Sequence, residues 1–372
     1  MAAPRTRLGR TGWGILGVSL AGLVAFVVST QLGRDGAIET PSPTSMLELI
    51  PADPLVVVEV DVVAMKATPV GAQLLGEGRE VAGIGEVVDI CGDDPLAGVE
   101  RIALAIPEVA RVGFGLFAVG AIDDAALLAC ATDIVRRRGG TPRERAQGAF
   151  RVLSDATQDE AGARLAVRAG GPLVLTEPAY LAESVAVRPE TSAARSPHAE
   201  LRAMVPSGLI VATAVLSDTQ RATLLDELRV QGATASPLGA LRDGAVSIRT
   251  DVPAAPAGKR ATRGDDERTE VQLAAVLRCD TAPAADTLAV DLEARRAEAA
   301  RRLDVRLLGL GALLDAIRIR RDGARVHVDL VVPAAQVAAL FRRLAALGRG
   351  SPSPVSPPPA STESAAPAAT AP

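Results

Sequence analysis

From Leu55 to Val62 the chain alternates, with Val56, Val58, Val60 and Val62 on one side and Glu59 and Asp61 on the other. That two-residue period predicts a strand with one face against a core. A helical region with several glycines follows as far as Cys91, and then a strand over Arg101–Ile106 presents Ile102, Leu104 and Ile106 to one side. Pro107 to Ala110 reads as a tight return into a strand carrying Val112, Phe114, Leu116 and Ala118. Asp123 opens a helix containing Leu127, Leu128, Ile134 and Val135, which ends near Arg138 and Gly139. A strand over Phe150–Ser154, a hairpin turning at Gly170 and Gly171, and a short helix begun by Pro178 complete the first unit.

The same order returns further along. Leu49, Ile50 and Pro51 before the first strand correspond to Met204, Val205 and Pro206 before a strand over Leu209–Leu216. Leu173 to Leu175 with Pro178 correspond to Val328 to Leu330 with Pro333, and both prolines are displaced by 155 residues. Between them Val112, Phe114 and Leu116 align with Val271, Leu273 and Ala275, each run followed by a helix. A second hairpin turns at Asp322 and Gly323, where Ile317, Ile319, Val326 and Val328 alternate with Arg318, Arg320, Arg325 and His327. Matches in a fixed order point to duplication. The tight return of the first unit becomes a polar insertion, Pro253 to Arg268, in the second; its Arg263, Gly264 and Asp265 read as solvated loop residues. The helix over Ala282–Arg302 carries Glu293 and Arg296 at pairing distance on an exposed face.

Ahead of both units, Thr11 to Gly33 are twenty-three residues without a formal charge, including Ile15, Leu16, Leu20, Leu23 and Phe26. A helix of that length measures roughly 35 Å, enough for a hydrocarbon core of about 30 Å. Arg5, Arg7 and Arg10 precede it, so the positive-inside rule puts the N-terminus in the cytoplasm and the bulk of the chain outside, with Trp13 at the headgroup boundary. A cleaved signal peptide is the competing reading, although no good peptidase site follows the apolar run. After Leu347 the composition shifts to Gly, Ser, Pro, Ala and Thr, which predicts a disordered tail.

These features predict an α+β protein with this organisation: a basic N-terminus (1–10), a transmembrane anchor (11–33), a linker (34–45), two tandem duplicated modules (46–196 and 197–348) and a tail (349–372). Each module is expected to be a ferredoxin-like antiparallel sheet with helices on one face, and the cleft between them is the place to look for a ligand.

Composition narrows the chemistry. The chain has 40 basic and 44 acidic residues and a formal charge of -4, so no nucleic-acid partner is advertised. Outside the cytoplasm, three cysteines predict one bridge and one leftover thiol, and two helices on one sheet face could bring Cys91 to Cys130. No metal or cofactor is expected: His198 and His327 are far apart and read as solvated surface residues, and no Ser nucleophile elbow occurs. Gly113, Gly115 and Gly120 lie in a strand and fit no phosphate-binding spacing, which suggests close backbone approach. The carboxylate pairs Asp93 and Asp94, Asp123 and Asp124, and Asp265 and Asp266 are adjacent in sequence, which does not place two acids at a catalytic distance. Asp123 and Asp124 are explained by the helix they begin, and Asp93 to Pro95 by a turn. Phe114, Phe117, Phe150, Tyr180 and Phe341 are too few and too core-facing to stack sugars.

Ile50, Pro51, Ala52 and Asp53 before a Val-rich strand, with Cys91 to Leu96 leading into another, resemble a loose group of uncharacterised bacterial membrane-anchored envelope proteins. The resemblance covers about a third of the chain and implies only envelope placement. The expected role is a non-catalytic binding or scaffold protein in contact with membrane lipid and an envelope protein. The alternatives are a carboxylate-dependent hydrolase of the envelope and a carrier of an apolar ligand.

Overall fold

The computed structural model describes residues 45–68, 90–91, 98–107, 113–158, 162–230, 237–251, 269–307, 309–337 and 339. Among them no helix is long and apolar enough to cross a membrane. The expected anchor at 11–33, the insertion at 253–268, Phe341 and the tail at 349–372 lie outside the described residues.

The first part of the chain builds β1 (Val56–Asp61), α1 (Val62–Lys66), β2 (Val99–Ile106), β3 (Gly115–Gly120), α2 (Asp124–Arg137), β4 (Pro142–Gln147), β5 (Phe150–Asp155), β6 (Arg164–Val167), β7 (Leu173–Thr176) and α3 (Pro178–Val185). The second builds α4 (Pro197–Met204), β8 (Ile210–Val215), α5 (Asp218–Val230), β9 (Leu241–Asp251), β10 (Glu270–Cys279), α6 (Ala282–Arg301), α7 (Leu303–Leu307), α8 (Gly311–Ala316), β11 (Arg318–Asp322) and β12 (Arg325–Pro333). Mixed helix and antiparallel sheet make this an α+β fold.

Local chemistry sets the helix starts. The Asp61 carboxylate accepts from Ala64 N at 2.7 Å, and that of Asp123 accepts from Ala125 N and Ala126 N, each at 3.0 Å. Such caps satisfy amides that have no partner within the helix. Ser196 accepts from His198 N, and Pro197, which needs no partner, follows it at the start of α4.

All twelve described strands join one antiparallel sheet in the order β11-β12-β10-β9-β8-β1-β2-β3-β7-β6-β5-β4. The two segments read from the sequence as separate modules meet in the β1–β8 ladder, where Val58 lies opposite Ala212. A hydrogen-bonded ladder occupies that seam, so the expected cleft is not found along it. Reading outward, one side runs β2, β3, β7, β6, β5, β4 and the other β9, β10, β12, β11, so the two match over their first four strands. A ferredoxin-like core would separate β1 from a parallel β2 by another strand; instead β1 pairs directly and antiparallel with β2, Val58 opposite Leu104.

Strand periodicity sends alternate residues to two cores. Val58, Val60, Ile102, Leu104 and Ala118 pack with Leu127 and Leu128 of α2 and with Met65 of α1. Val57, Ala103, Ala105, Phe117 and Val174 pack on the opposite face with Leu181 of α3, Leu47 of a 3₁₀ turn (Met46–Leu49) and Ala193 of another (Ala193–Arg195). Helices on a single face were the expectation; both faces are covered here, because these strands are apolar at odd and even positions alike. In the second part, α6 and α8 cover the Val58 face. On the Val57 face, Leu201 of α4, with Val205 beyond it, covers Val211, Ala245 and Val276.

Candidate functional site

The densest polar chemistry lies under α4, beside the seam. The ring of His198 is 1% exposed. Its Nε2 stands 2.8 Å from the carbonyl oxygen of Pro54, and its Nδ1 stands 2.7 Å from Oγ1 of Thr213 in β8. A carbonyl can only accept, so Nε2 carries the proton, and Nδ1 of the neutral ring accepts a hydrogen bond from the Thr213 hydroxyl. Burial pushes the imidazole below its ordinary range; the Pro54 carbonyl, Asp53 and Asp243 act in the opposite sense. The expectation of a solvated His198 is thus overturned, since α4 folds back onto the sheet and carries the ring inward.

Next to it Asp243 of β9, 2% exposed, is gripped by Arg278 of β10, with Nε to Oδ1 at 2.5 Å and Nη2 to Oδ2 at 2.6 Å. Glu200 of α4 approaches the same guanidinium at 3.4 Å. Further along the seam Glu59 faces Arg202 of α4 at 3.6 Å. Burial raises the Glu59 carboxyl above its ordinary value, opposed by Arg202 and Arg101. Ser247 is also buried on this face, and its hydroxyl makes no hydrogen bond in the structure.

A hydroxyl that donates to an imidazole fixed at its other nitrogen has the hydrogen-bond order of an activated nucleophile. Access decides against that role here, because Thr213 is 3% exposed and His198 1%. Both imidazole nitrogens are occupied, and Asp243 and Glu59 each face an arginine. The belt fastens α4, the Pro54 loop, β8, β9 and β10 together.

Of the residues singled out from sequence, Cys91 and Cys130 form a disulfide with Cα atoms 5.0 Å apart, while Cys279 is a buried free thiol. Asp123 is the cap of α2, and Glu293 and Arg296 pair at 2.9 Å. His327 is half-buried on β12, opposite Arg320 of β11. Gly115 marks a close approach: an added Cβ would sit 2.7 Å from the Tyr180 ring. Phe117, Phe150 and Tyr180 are buried in the core. Asp93, Asp94, Asp265, Asp266 and the anchor residues Trp13, Ile15, Leu16, Leu20, Leu23 and Phe26 lie outside the described residues. Among the described residues no three His, Cys, Asp or Glu side chains group to hold a metal. Sequence reasoning missed Asp243 with Arg278 because they are 35 residues apart; Asp243 just before the small and apolar run Gly244, Ala245 and Val246 was the one available signal.

No family model matches this chain, and no curated protein matches it. A solved structure of TP0453, crystal form I, is similar over 82% of this chain and 98% of that one, with 12% identity and a TM-score of 0.41. A likeness that distant carries no argument about function.

Proposed function

We propose that this is a non-catalytic binding or scaffold protein of the bacterial envelope. It is held in the cytoplasmic membrane by residues 11–33, with its N-terminus inside and the sheet outside. One observation carries the binding role: beyond α4 no described helix packs on the Val57 face of β10, β12 and β11, and Gln272, Asp329, Val331, Arg318, Arg320 and Arg325 project from it. An antiparallel sheet can leave one face to solvent, and so large a platform suits a partner better than a small substrate. The Cys91–Cys130 bridge supports an oxidising compartment. The matching strand orders on either side of the seam, with α2 after β3 and α6 after β10 on the same face, support duplication of an ancestral unit.

Crosslinking in intact cells followed by mass spectrometry tests the role. A recurring protein neighbour is expected, and recovery of none contradicts it. For the topology, a reporter fused after Leu347 should be active only outside the cytoplasm; activity only inside would overturn the placement.

A further inference from the structure

Among the described residues the sheet ends in two open edges, β11 and β4, and they differ. β4 begins with Pro142, which has no N–H to offer, and carries Glu144, bonded to Arg151 at 2.7 Å. β11 reads Arg318, Ile319, Arg320, Arg321, Asp322. Its two-residue turn, with Gly323 at φ 56°, makes Asp322 and Arg325 a hydrogen-bonded pair. By the alternation of antiparallel ladders, Arg320 with His327 and Arg318 with Asp329 are hydrogen-bonded pairs too. Ile319 and Arg321 therefore direct their N–H and C=O groups away from β12, toward the open edge.

Side chains add a chemical preference to that row of amides. Arg318 and Arg320 project on the Val57 face, where Arg320 reaches Asp329 at 2.6 Å and Arg325 stands on the next strand. Arg318 has no ion pair with a described residue. On the other face Arg321 pairs with Asp286 of α6, and Ile319 packs against the cluster of Leu288 and Val326. Asp322 is the strand's acid, at its turn end. A second copy is a poor occupant: β4 of one molecule laid on β11 of another would set Arg143 and Arg145 among Arg318, Arg320 and Arg321, and like charges across a ladder repel.

We propose that the open edge of β11 takes an added strand from an acidic, extended polypeptide. Its side chains run acidic, apolar, acidic, acidic opposite Arg318, Ile319, Arg320 and Arg321. Main-chain hydrogen bonds to Ile319 and Arg321 supply affinity, and the three guanidinium groups select the sign of the partner. This rests on the binding role above and adds the chemistry of the partner.

The test uses the full chain in detergent and a fluorescein-labelled peptide repeating glutamate, valine, glutamate, glutamate, read by anisotropy. Binding is expected to weaken with salt and to fall roughly tenfold or more when alternate peptide amides are N-methylated. Since those methyl groups are on the peptide, folding of the protein is not at issue. The double variant Arg318→Gln, Arg320→Gln removes the charge without setting new carboxylates against Asp329, and should lose binding by at least about tenfold while keeping its melting temperature. Equal binding by a lysine and valine peptide, indifference to N-methylation, or preferential capture of phosphatidylglycerol vesicles would each overturn the proposal. No peptide binding at all would also overturn it, leaving the arginines as guards against edge-to-edge association. A negative here beside a recurring neighbour in cells refutes this edge alone; negatives in both refute the binding role as well.

Discussion

The two flanks of the sheet follow the same strand order as far as β6 and β11, beyond which one adds β5 and β4, yet they treat the Val57 face in opposite ways. On the flank toward β4, the row Ala103, Phe117, Val174, Ala166 and Val152 is apolar, and every member is 0% exposed under α3 and the 3₁₀ turns. On the other flank the corresponding row runs Ser247, Ala274, Asp329 and Arg318, and only its first member is buried. Strand order therefore does not dictate layering. The side chains at alternate positions do, since a face with polar ends offers a covering helix little apolar area to bury. The seam residues lie between these regimes, with charges present but each matched beneath α4.

The contrast gives an order of effects. Phe117→Ala, in the covered flank, should cost about 3–5 kcal/mol in urea denaturation; a loss as small as that of a surface change would mean the face is not packed as described. At the seam, Arg278→Ala should cost about 2–4 kcal/mol, since it strands the buried Asp243, with the lower end favoured by the partly exposed guanidinium. Removing both partners should cost less than removing Arg278 alone, and the reverse order would show that the pair is not closed.

Thr213→Val, which takes one hydrogen bond from His198, should cost about 1–2 kcal/mol. The neighbouring imidazole also gives a pH signature. Its folded-state pKa is depressed below the ordinary 6.5, so its contribution is fully present above that value. As pH falls below it, the unfolded chain takes up a proton that the folded chain resists, and stability declines until the lower folded value is reached. Denaturation midpoints for the wild type and His198→Gln should therefore diverge least in acid, and parallel curves would remove the effect. Smallest of all, Val331→Ala on the bare flank should change stability by less than about 0.5 kcal/mol. Arg320→Ala should leave the melting temperature where it is, unless that face is packed against something in solution.

Much of the covered flank was legible from residue order alone. The alternation at Val56 to Val62 and the capped start of α2 are local signals, and local physics settles them; on the bare flank the expected turn at Asp322 and Gly323 falls one residue later, at Gly323 and Ala324, with Asp322 paired to Arg325. β4 escaped notice because Arg143, Glu144 and Arg145 are exposed and give no two-residue apolar period. The seam was illegible for a different reason: β1 and β8 are both apolar enough to sit inside any sheet, and nothing in either says that they pair with each other. Burial of His198 was missed because a histidine after a helix-starting proline carries no local sign of what the helix will cover.

Hydrogen exchange on the full chain in detergent, resolved to single strands by mass spectrometry, tests the continuous sheet most directly. Amides of β1 and β8 should be the slowest in the molecule and open together, with the edge strand β11 exchanging well before them. If β8 exchanges in a separate, faster unit while β1 stays protected, the two halves do not share a sheet.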